Sequence, residues 1–233
     1  MLTRNINFKN FKVKKNNKDI KKDLISLLTK KNMVLKSLGD SYKNNYTKKI
    51  LSKFKKYTNI RIIGMGGSIL GTKSIYDFLK NKVKKNFYFI DNLQSKIKFN
   101  DKKNYLNLII SKSGNTLETI SNSNIIIKNN KKNIFITENK KSYLYLLAQK
   151  LKAEIIHHNN FIGGRYSVLS EVGMLPAELM NLKINNFKQL NNLEKNKKFI
   201  NELIKSVNNT LYFLKKKKFN SIILNYDEGS NSF

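Results

Sequence analysis

The sequence predicts an α/β fold, a three-layer αβα sandwich around a five-stranded parallel sheet, preceded by a helical N-terminal arm. Two observations carry this prediction. Short runs rich in Ile, Phe and Tyr alternate with stretches of helical periodicity, and each connection is long enough for a right-handed crossover. A length of 233 residues, of which 40% are hydrophobic, supplies one complete core and the beginning of another.

Each element follows from its own pattern. The arm, residues 1–57, alternates Lys and Asn with apolar residues at helical spacing, and we expect it to pack on the next domain; a membrane-surface helix is the alternative.

The first domain, residues 58–185, contains the sheet. Its strands are predicted at residues 59–65, 87–90, 106–111, 133–137 and 154–157. Its intervening helices are predicted at residues 69–79, 116–127 and 143–151.

The C-terminal part predicts the start of a second domain. Helical patterns cover residues 166–181 and 187–214, and residues 221–226 read as one more strand. A parallel strand needs neighbours and covering helices. Residues 186–233 are therefore interpreted as a connecting helix and the first strand of a truncated second domain, which predicts a truncated gene product or an incomplete reading frame.

Composition narrows the function classes. A net charge of +31 is typical of nucleic-acid binding, but only three of the 46 basic residues are Arg, the residue that such proteins favour. Abundant Lys, Asn and Ile indicate AT-rich codons instead, and a nucleic-acid surface remains the alternative.

The chain has no run of roughly 18 apolar residues and no signal-peptide pattern, which predicts a cytoplasmic protein. Without Cys, and with two adjacent His, no metal or other cofactor is expected.

A glycine-rich turn, GMGGSILG at residues 64–71, joins the first strand to the first helix. Glycines let a ligand approach the backbone, and the following helix offers unpaired N–H groups. The spacing fits neither the dinucleotide fingerprint nor the Walker motif, which disfavours a nucleotide site. The turn is interpreted as a ligand site, with a purely structural turn as the alternative.

A second loop, SKSGNTLET at residues 111–119, follows the third strand. Hydroxyls, a glycine and a helix N-terminus capped by Asn115 or Thr116 predict a cradle for a phosphate monoester, to which Lys112 adds charge. An ordinary Ser/Thr-rich cap is the alternative. Because α/β proteins bind ligands at the carboxyl ends of parallel strands, we expect this loop and the glycine turn to face one crevice.

A third motif, IGGRYSVLSEVG at residues 162–173, places Arg165 after two glycines. An Arg in a chain that almost always uses Lys predicts a planar, permanently charged donor to a developing oxyanion, with a structural ion pair as the alternative. Tyr166 and Leu169 are expected in the core. His157 and His158 are expected to end a strand.

Together the three motifs resemble the N-terminal sugar-isomerase (SIS) domain of glucose-6-phosphate isomerases, particularly of the shorter bacterial type, from about residue 59 to 177. The resemblance implies interconversion of glucose 6-phosphate and fructose 6-phosphate through a cis-enediolate, in glycolysis and gluconeogenesis. Arg165 would be catalytic and stabilise the enediolate. The implied substrate-binding residues are Gly67, Ser68, Ser111, Lys112, Ser113, Thr116 and Gly164.

The sequence departs from the family pattern in places. Thr72 stands where many members have Pro, and Glu171 where a small residue is usual. The family's base is a Glu in a Gln-x-x-x-Glu-Ser-x-Gly-Lys stretch, which is missing here together with the ring-opening His and a C-terminal Lys. We therefore expect this chain to be inactive alone, and its full-length form to be a homodimer. A non-catalytic sugar-phosphate-binding protein and a bifunctional glucose and mannose phosphate isomerase are alternatives.

Overall fold

The structure is a computed structural model that describes residues 17–30, 32–93, 104–127 and 132–232. The chain forms two compact units. One unit comprises residues 42–187 and 225–233, and the other comprises residues 1–41 and 188–224. The predicted N-terminal arm is therefore divided between the units, and its first sixteen residues lie outside the described part of the chain.

A parallel sheet lies in the first unit. Its strands are β1 (Asn59–Gly64), β2 (Asn86–Ile90), β3 (Tyr105–Ile110), β4 (Asn133–Thr137) and β5 (Glu154–His157). The order is β2-β1-β3-β4-β5 and every pairing is parallel. This confirms the predicted fold class, and each boundary agrees with the sequence prediction to within one residue. The register sets Ile62 between Phe89 and Leu108.

The helices of the described residues are α1 (Asn17–Thr29), α2 (Met33–Leu38), α3 (Lys48–Phe54), α4 (Leu70–Phe78), α5 (Leu117–Ile126), α6 (Tyr143–Lys150), α7 (Glu171–Leu179), α8 (Leu190–Glu194) and α9 (Lys197–Lys215). Of these, α3 to α7 belong to the unit that contains the sheet. In the second unit, α1 and α8 both pack against α9. None of the described helices is both long and apolar enough to cross a membrane.

Two hydrophobic cores separate the three layers. Alternate residues of a strand point to opposite faces of the sheet. Thus Ile62 packs with apolar residues of α3, α4 and α7 on one face, whereas Ile63 packs with residues of α5 and α6 on the other. Because both faces of β3 and β4 are covered, every residue of these strands is buried.

Three C-terminal predictions need correction. The helix predicted at 166–181 begins only at Glu171, because a 3₁₀ turn (Gly164–Tyr166) and Ser170, the N-cap, come first. The helix predicted at 187–214 consists of α8 and α9, since the Asn196 side chain accepts a hydrogen bond from the Phe199 N–H and starts a new helix. Residues 221–226 form no strand, because they pair with no other strand among the described residues.

Candidate active site

The predicted site residues lie on loops at the carboxyl ends of the strands. Within the sheet, β2 is the neighbour of β1 on one side and β3 is its neighbour on the other. Such a reversal of strand order opens a crevice between the loops that follow β1 and β3. The glycine turn follows β1 and the Ser/Thr loop follows β3, so the topology places two of the three motifs at the point where α/β folds bind ligands.

The Ser/Thr loop forms a closed hydroxyl cluster. The Ser111 Oγ lies 2.9 Å from the Thr116 Oγ1 and accepts a hydrogen bond from the Gly114 N–H at 3.2 Å. Ser111 is buried, Thr116 is half-buried and Ser113 is exposed. The loop therefore curls back on itself, with one hydroxyl fixed inside and another open to solvent.

The predicted helix cap differs from the observed one. Thr116 is the N-cap of α5 but makes no side-chain hydrogen bond to the helix, because its hydroxyl pairs with Ser111. Asn115 instead accepts a hydrogen bond from the Tyr143 N–H, 2.9 Å away, at the start of α6. Among the described residues, no N-cap side chain thus bonds the first N–H groups of α5, and they can act as anion donors beside the hydroxyl cluster.

Gly114 allows this loop to close. Its φ of +67° is in the left-handed region that favours glycine, and a Cβ placed there would lie 2.1 Å from the Ser142 Oγ. Its carbonyl accepts a hydrogen bond from the Leu144 N–H at 3.0 Å, inside the first turn of α6. The loop is therefore packed directly against the N-terminus of the next helix.

Lys112 belongs to the same loop but points its ammonium group elsewhere. The Nζ donates to the carbonyl of Asn160 at 2.9 Å and lies 3.4 Å from a carboxylate oxygen of Glu138. The Lys112 and Glu138 side chains are 28% and 21% exposed. The ammonium group thus connects the phosphate loop to the segment that leads to Arg165, and its charge is partly balanced by Glu138.

The glycine turn and the Arg165 motif touch through their backbones. A Cβ on Gly67 would lie 2.3 Å from the carbonyl oxygen of Gly164 and 2.8 Å from the backbone nitrogen of Arg165. Only a glycine at position 67 permits this approach. The two motifs, far apart in sequence, are therefore in direct backbone contact, and Ser68, which follows Gly67, is half-buried.

Short hydrogen bonds hold the Arg165 turn in place. The Ser167 hydroxyl donates to the Gly164 carbonyl at 2.6 Å, and the Ser170 hydroxyl donates to the Ser167 carbonyl at 2.7 Å. Both serines are fully buried. Tyr166 was expected in the core but is 61% exposed, because the 3₁₀ turn points it outward.

The Arg165 residue is exposed. Within the described ranges its guanidinium group takes part in no hydrogen bond or ion pair, which disfavours the structural ion pair considered as the alternative. A guanidinium group without such a partner is available to an anionic ligand.

A buried polar cluster behind this turn was not predicted. Glu171 is fully buried, and its two carboxylate oxygens accept hydrogen bonds from the Asn159 N–H at 2.7 Å and from the Tyr42 hydroxyl at 2.9 Å. Burial, and then the Glu171 carboxylate, raise the pKa of Tyr42, so its hydroxyl stays protonated. The only signal in the sequence was a Glu where the family usually has a small residue.

His158 lies beside this cluster. It follows the last residue of β5, as expected for a strand end, and its backbone N–H donates to the carbonyl of Thr137 at 2.8 Å. The ring is buried, and this desolvation lowers the pKa of His158. A neutral ring here is part of the packing between the Lys112 loop and Glu171.

Known proteins resemble the chain in both sequence and fold. The family model of phosphoglucose isomerase matches residues 7–208. Glucose-6-phosphate isomerase of Methanocaldococcus jannaschii is 38% identical over 152 residues, covering 58% of this chain and 36% of that enzyme. The enzyme of Acholeplasma laidlawii is 34% identical over 155 residues, covering 58% of this chain and 37% of its own length.

A solved structure agrees with the fold. A hypothetical protein from Thermus thermophilus superposes with a TM-score of 0.60 at 20% identity, over 77% of this chain and 46% of that chain. The chain spans little more than a third of the length of the two curated relatives. Since the family model covers most of its residues, the chain belongs to the phosphoglucose isomerase family.

Proposed function

We propose that this chain provides the sugar-phosphate-binding half of a glucose-6-phosphate isomerase, an aldose–ketose isomerase that interconverts glucose 6-phosphate and fructose 6-phosphate. The contact of Gly67 with Gly164 and Arg165 carries the proposal. It sets the backbone of Arg165 against the turn that follows β1, next to the strand whose end carries the phosphate cradle.

The phosphate group would bind at the loop that follows β3. Ser113 and Thr116 supply hydroxyl donors, and the uncapped N–H groups of α5 favour an anion. Buried Ser111 acts mainly by holding Thr116 in place. Lys112 would add positive charge from its position against Glu138 and Asn160.

The sugar carbons would lie beside Gly164 and Arg165. In the reaction a base moves a proton between C2 and C1, and negative charge develops on the enediolate oxygens. A guanidinium group placed beforehand next to these oxygens stabilises that charge without reorganisation. The residues of this chain do not contain the family's base motif, so turnover would require a carboxylate from outside them.

Calorimetric titration with fructose 6-phosphate, alongside an isomerase assay, tests the proposal. We expect binding without turnover. Ser113→Ala should weaken binding roughly fivefold, because an exposed hydroxyl donor to a phosphate oxygen is lost. Ser52→Ala, on the exposed face of α3, is the matched control and should leave the affinity unchanged. A folded wild-type chain that binds no sugar phosphate would contradict the proposal.

A second candidate, the non-catalytic sugar-phosphate-binding protein, would use the same hydroxyl cradle. This candidate predicts that the intact gene product also binds fructose 6-phosphate without isomerising it. By the family resemblance we further propose a cytoplasmic location and a homodimeric full-length form. Steeply salt-dependent binding to nucleic acid, without competition from sugar phosphate, would instead support a nucleic-acid-binding protein.

A further inference from the structure

A buried hydrogen-bonded cluster lies behind the Arg165 turn and has no part in the proposed phosphate contacts. We refer to Tyr42, Asn159 and Glu171 as the Glu171 brace. The carboxylate is fully buried at the first residue of α7, where the helix dipole favours negative charge. Its oxygens accept hydrogen bonds from the Asn159 N–H and the Tyr42 hydroxyl. A buried carboxylate is costly, and these donors offset its desolvation.

The brace holds the segment that carries the Arg165 turn. After Asn159, the carbonyl of Asn160 accepts from Lys112, and the Phe161 N–H donates to the Asn159 Oδ1 at 3.0 Å. The next residue, Ile162, is fully buried, and the glycines and Arg165 follow. Residues 158–163 are therefore fixed from two sides, by Glu171 behind them and by the phosphate loop in front.

We infer that Glu171 is a positioning residue, which fixes residues 158–163 and thereby sets the Arg165 turn relative to the phosphate loop. This inference rests on the proposed function of that site. It explains why a carboxylate is buried at a helix start where the family pattern has a small residue. Glu171 itself touches no substrate in this assignment and acts through the Asn159 backbone.

The same helix provides a matched control. Glu178, also on α7, accepts a hydrogen bond at 2.5 Å from the hydroxyl of Tyr46, so the chemistry repeats that of Glu171 and Tyr42. Within the described part of the chain, Glu178 and Tyr46 make no hydrogen bond to residues 158–163. Glu178 and Tyr46 are half-buried, and paired substitutions at the two sites separate loss of a Tyr–Glu hydrogen bond from loss of the brace.

The test compares the ligand affinities of Glu171→Ala and Glu171→Gln with those of Glu178→Ala. Each variant is measured at a temperature well below its thermal unfolding midpoint. Fructose 6-phosphate should bind Glu171→Ala roughly tenfold more weakly, while inorganic phosphate binds within about twofold of wild type, because, among the described residues, only Lys112 of the phosphate loop hydrogen-bonds the displaced segment, through Asn160. Glu171→Gln should recover most of the affinity, since its amide can accept from Asn159 and donate to Tyr42. Glu178→Ala should lower the unfolding midpoint and leave both affinities unchanged.

The inference would be overturned if Glu171→Ala lost affinity equally for fructose 6-phosphate and inorganic phosphate. It would also be overturned if Glu171→Ala and Glu178→Ala changed these affinities equally. If Glu171→Ala does not fold, Tyr42→Phe against Tyr46→Phe gives the same comparison, with an expected loss of about threefold confined to Tyr42→Phe and to the sugar phosphate.

Amide hydrogen exchange keeps the test separate from the proposed function. In Glu171→Ala the Asn159 amide should exchange at least about tenfold faster, and in Glu178→Ala at the wild-type rate. If the wild type binds no sugar phosphate, the proposed function fails, and exchange alone then decides whether Glu171 holds the segment. Unchanged Asn159 exchange in Glu171→Ala would refute the brace.

Discussion

Substituting Gly67 by Ala tests the contact on which the site depends. The added Cβ would lie 2.3 Å from the carbonyl oxygen of Gly164, 2.4 Å from its carbonyl carbon and 2.8 Å from the Arg165 nitrogen, whereas an ordinary contact is 3.4 Å or longer. All three atoms are backbone, so no side-chain rotation relieves the clash. The two turns must separate by roughly 1 Å.

The expected cost follows from that separation. Overpacking of this kind costs about 1–3 kcal/mol, which in a chain of this size lowers the unfolding midpoint by roughly 2–12 °C. Affinity for fructose 6-phosphate should fall by more than about tenfold, because displacement of Arg165 by roughly 1 Å spoils its alignment with the sugar. Affinity for inorganic phosphate should stay at the wild-type value, since the loop after β3 is untouched.

Gly164→Ala is the stability control, because a Cβ at that position meets no atom within 4 Å. Thermal unfolding should show a change within about 0.5 kcal/mol for this variant. Calorimetry with fructose 6-phosphate and with inorganic phosphate then measures both affinities of Gly67→Ala. The reasoning is refuted if Gly67→Ala is as stable as wild type and binds the sugar phosphate equally well.

Three further outcomes are expected. Gly114→Ala should lose about 2 kcal/mol or more in urea unfolding, because φ is +67° and the Cβ would lie 2.1 Å from the Ser142 Oγ; wild-type stability would contradict this. Glu138→Gln should raise affinity for inorganic phosphate about twofold by freeing the charge of Lys112, and an unchanged or lower affinity in calorimetry would contradict this. Burial lowers the pKa of His158 in the folded chain below 6.5. As pH falls below 6.5, His158 is therefore protonated in the unfolded chain before it is protonated in the folded chain. Stability should therefore decrease below that pH, and a His158→Asn variant with the same pH dependence would argue against His158 as its source.

Local patterns predicted the sheet because its strands are dense in Ile, Leu and Phe and end in turn-forming residues. The C-terminal helices were placed less well. Residues 166–170 have helical periodicity, yet the hydrogen bonds of Ser167 and Ser170 hold the preceding turn in a 3₁₀ form until α7 begins. Capping by Asn196 likewise divides a long periodic stretch in two, which periodicity alone does not reveal.

The candidate site was predicted as motifs rather than as contacts. Hydroxyls and a glycine before a helix predicted an anion cradle, but not that Thr116 pairs with Ser111 instead of capping α5. A basic residue in that loop predicted a phosphate contact, and the structure places Lys112 against Glu138 and Asn160. Hydrogen-bond partners distant in sequence leave no periodic signal.

The sequence by itself determined the fold class, the boundaries of the five sheet strands and the three motifs of this protein, because β-type runs, helical periodicity and glycine turns are encoded within a few neighbouring residues. Only the tertiary structure decided that Gly67 touches Gly164 and that buried Glu171 holds Asn159. These contacts join residues on separate elements, and their energies depend on distances of a few ångströms that exist only after the sheet and its helices have packed.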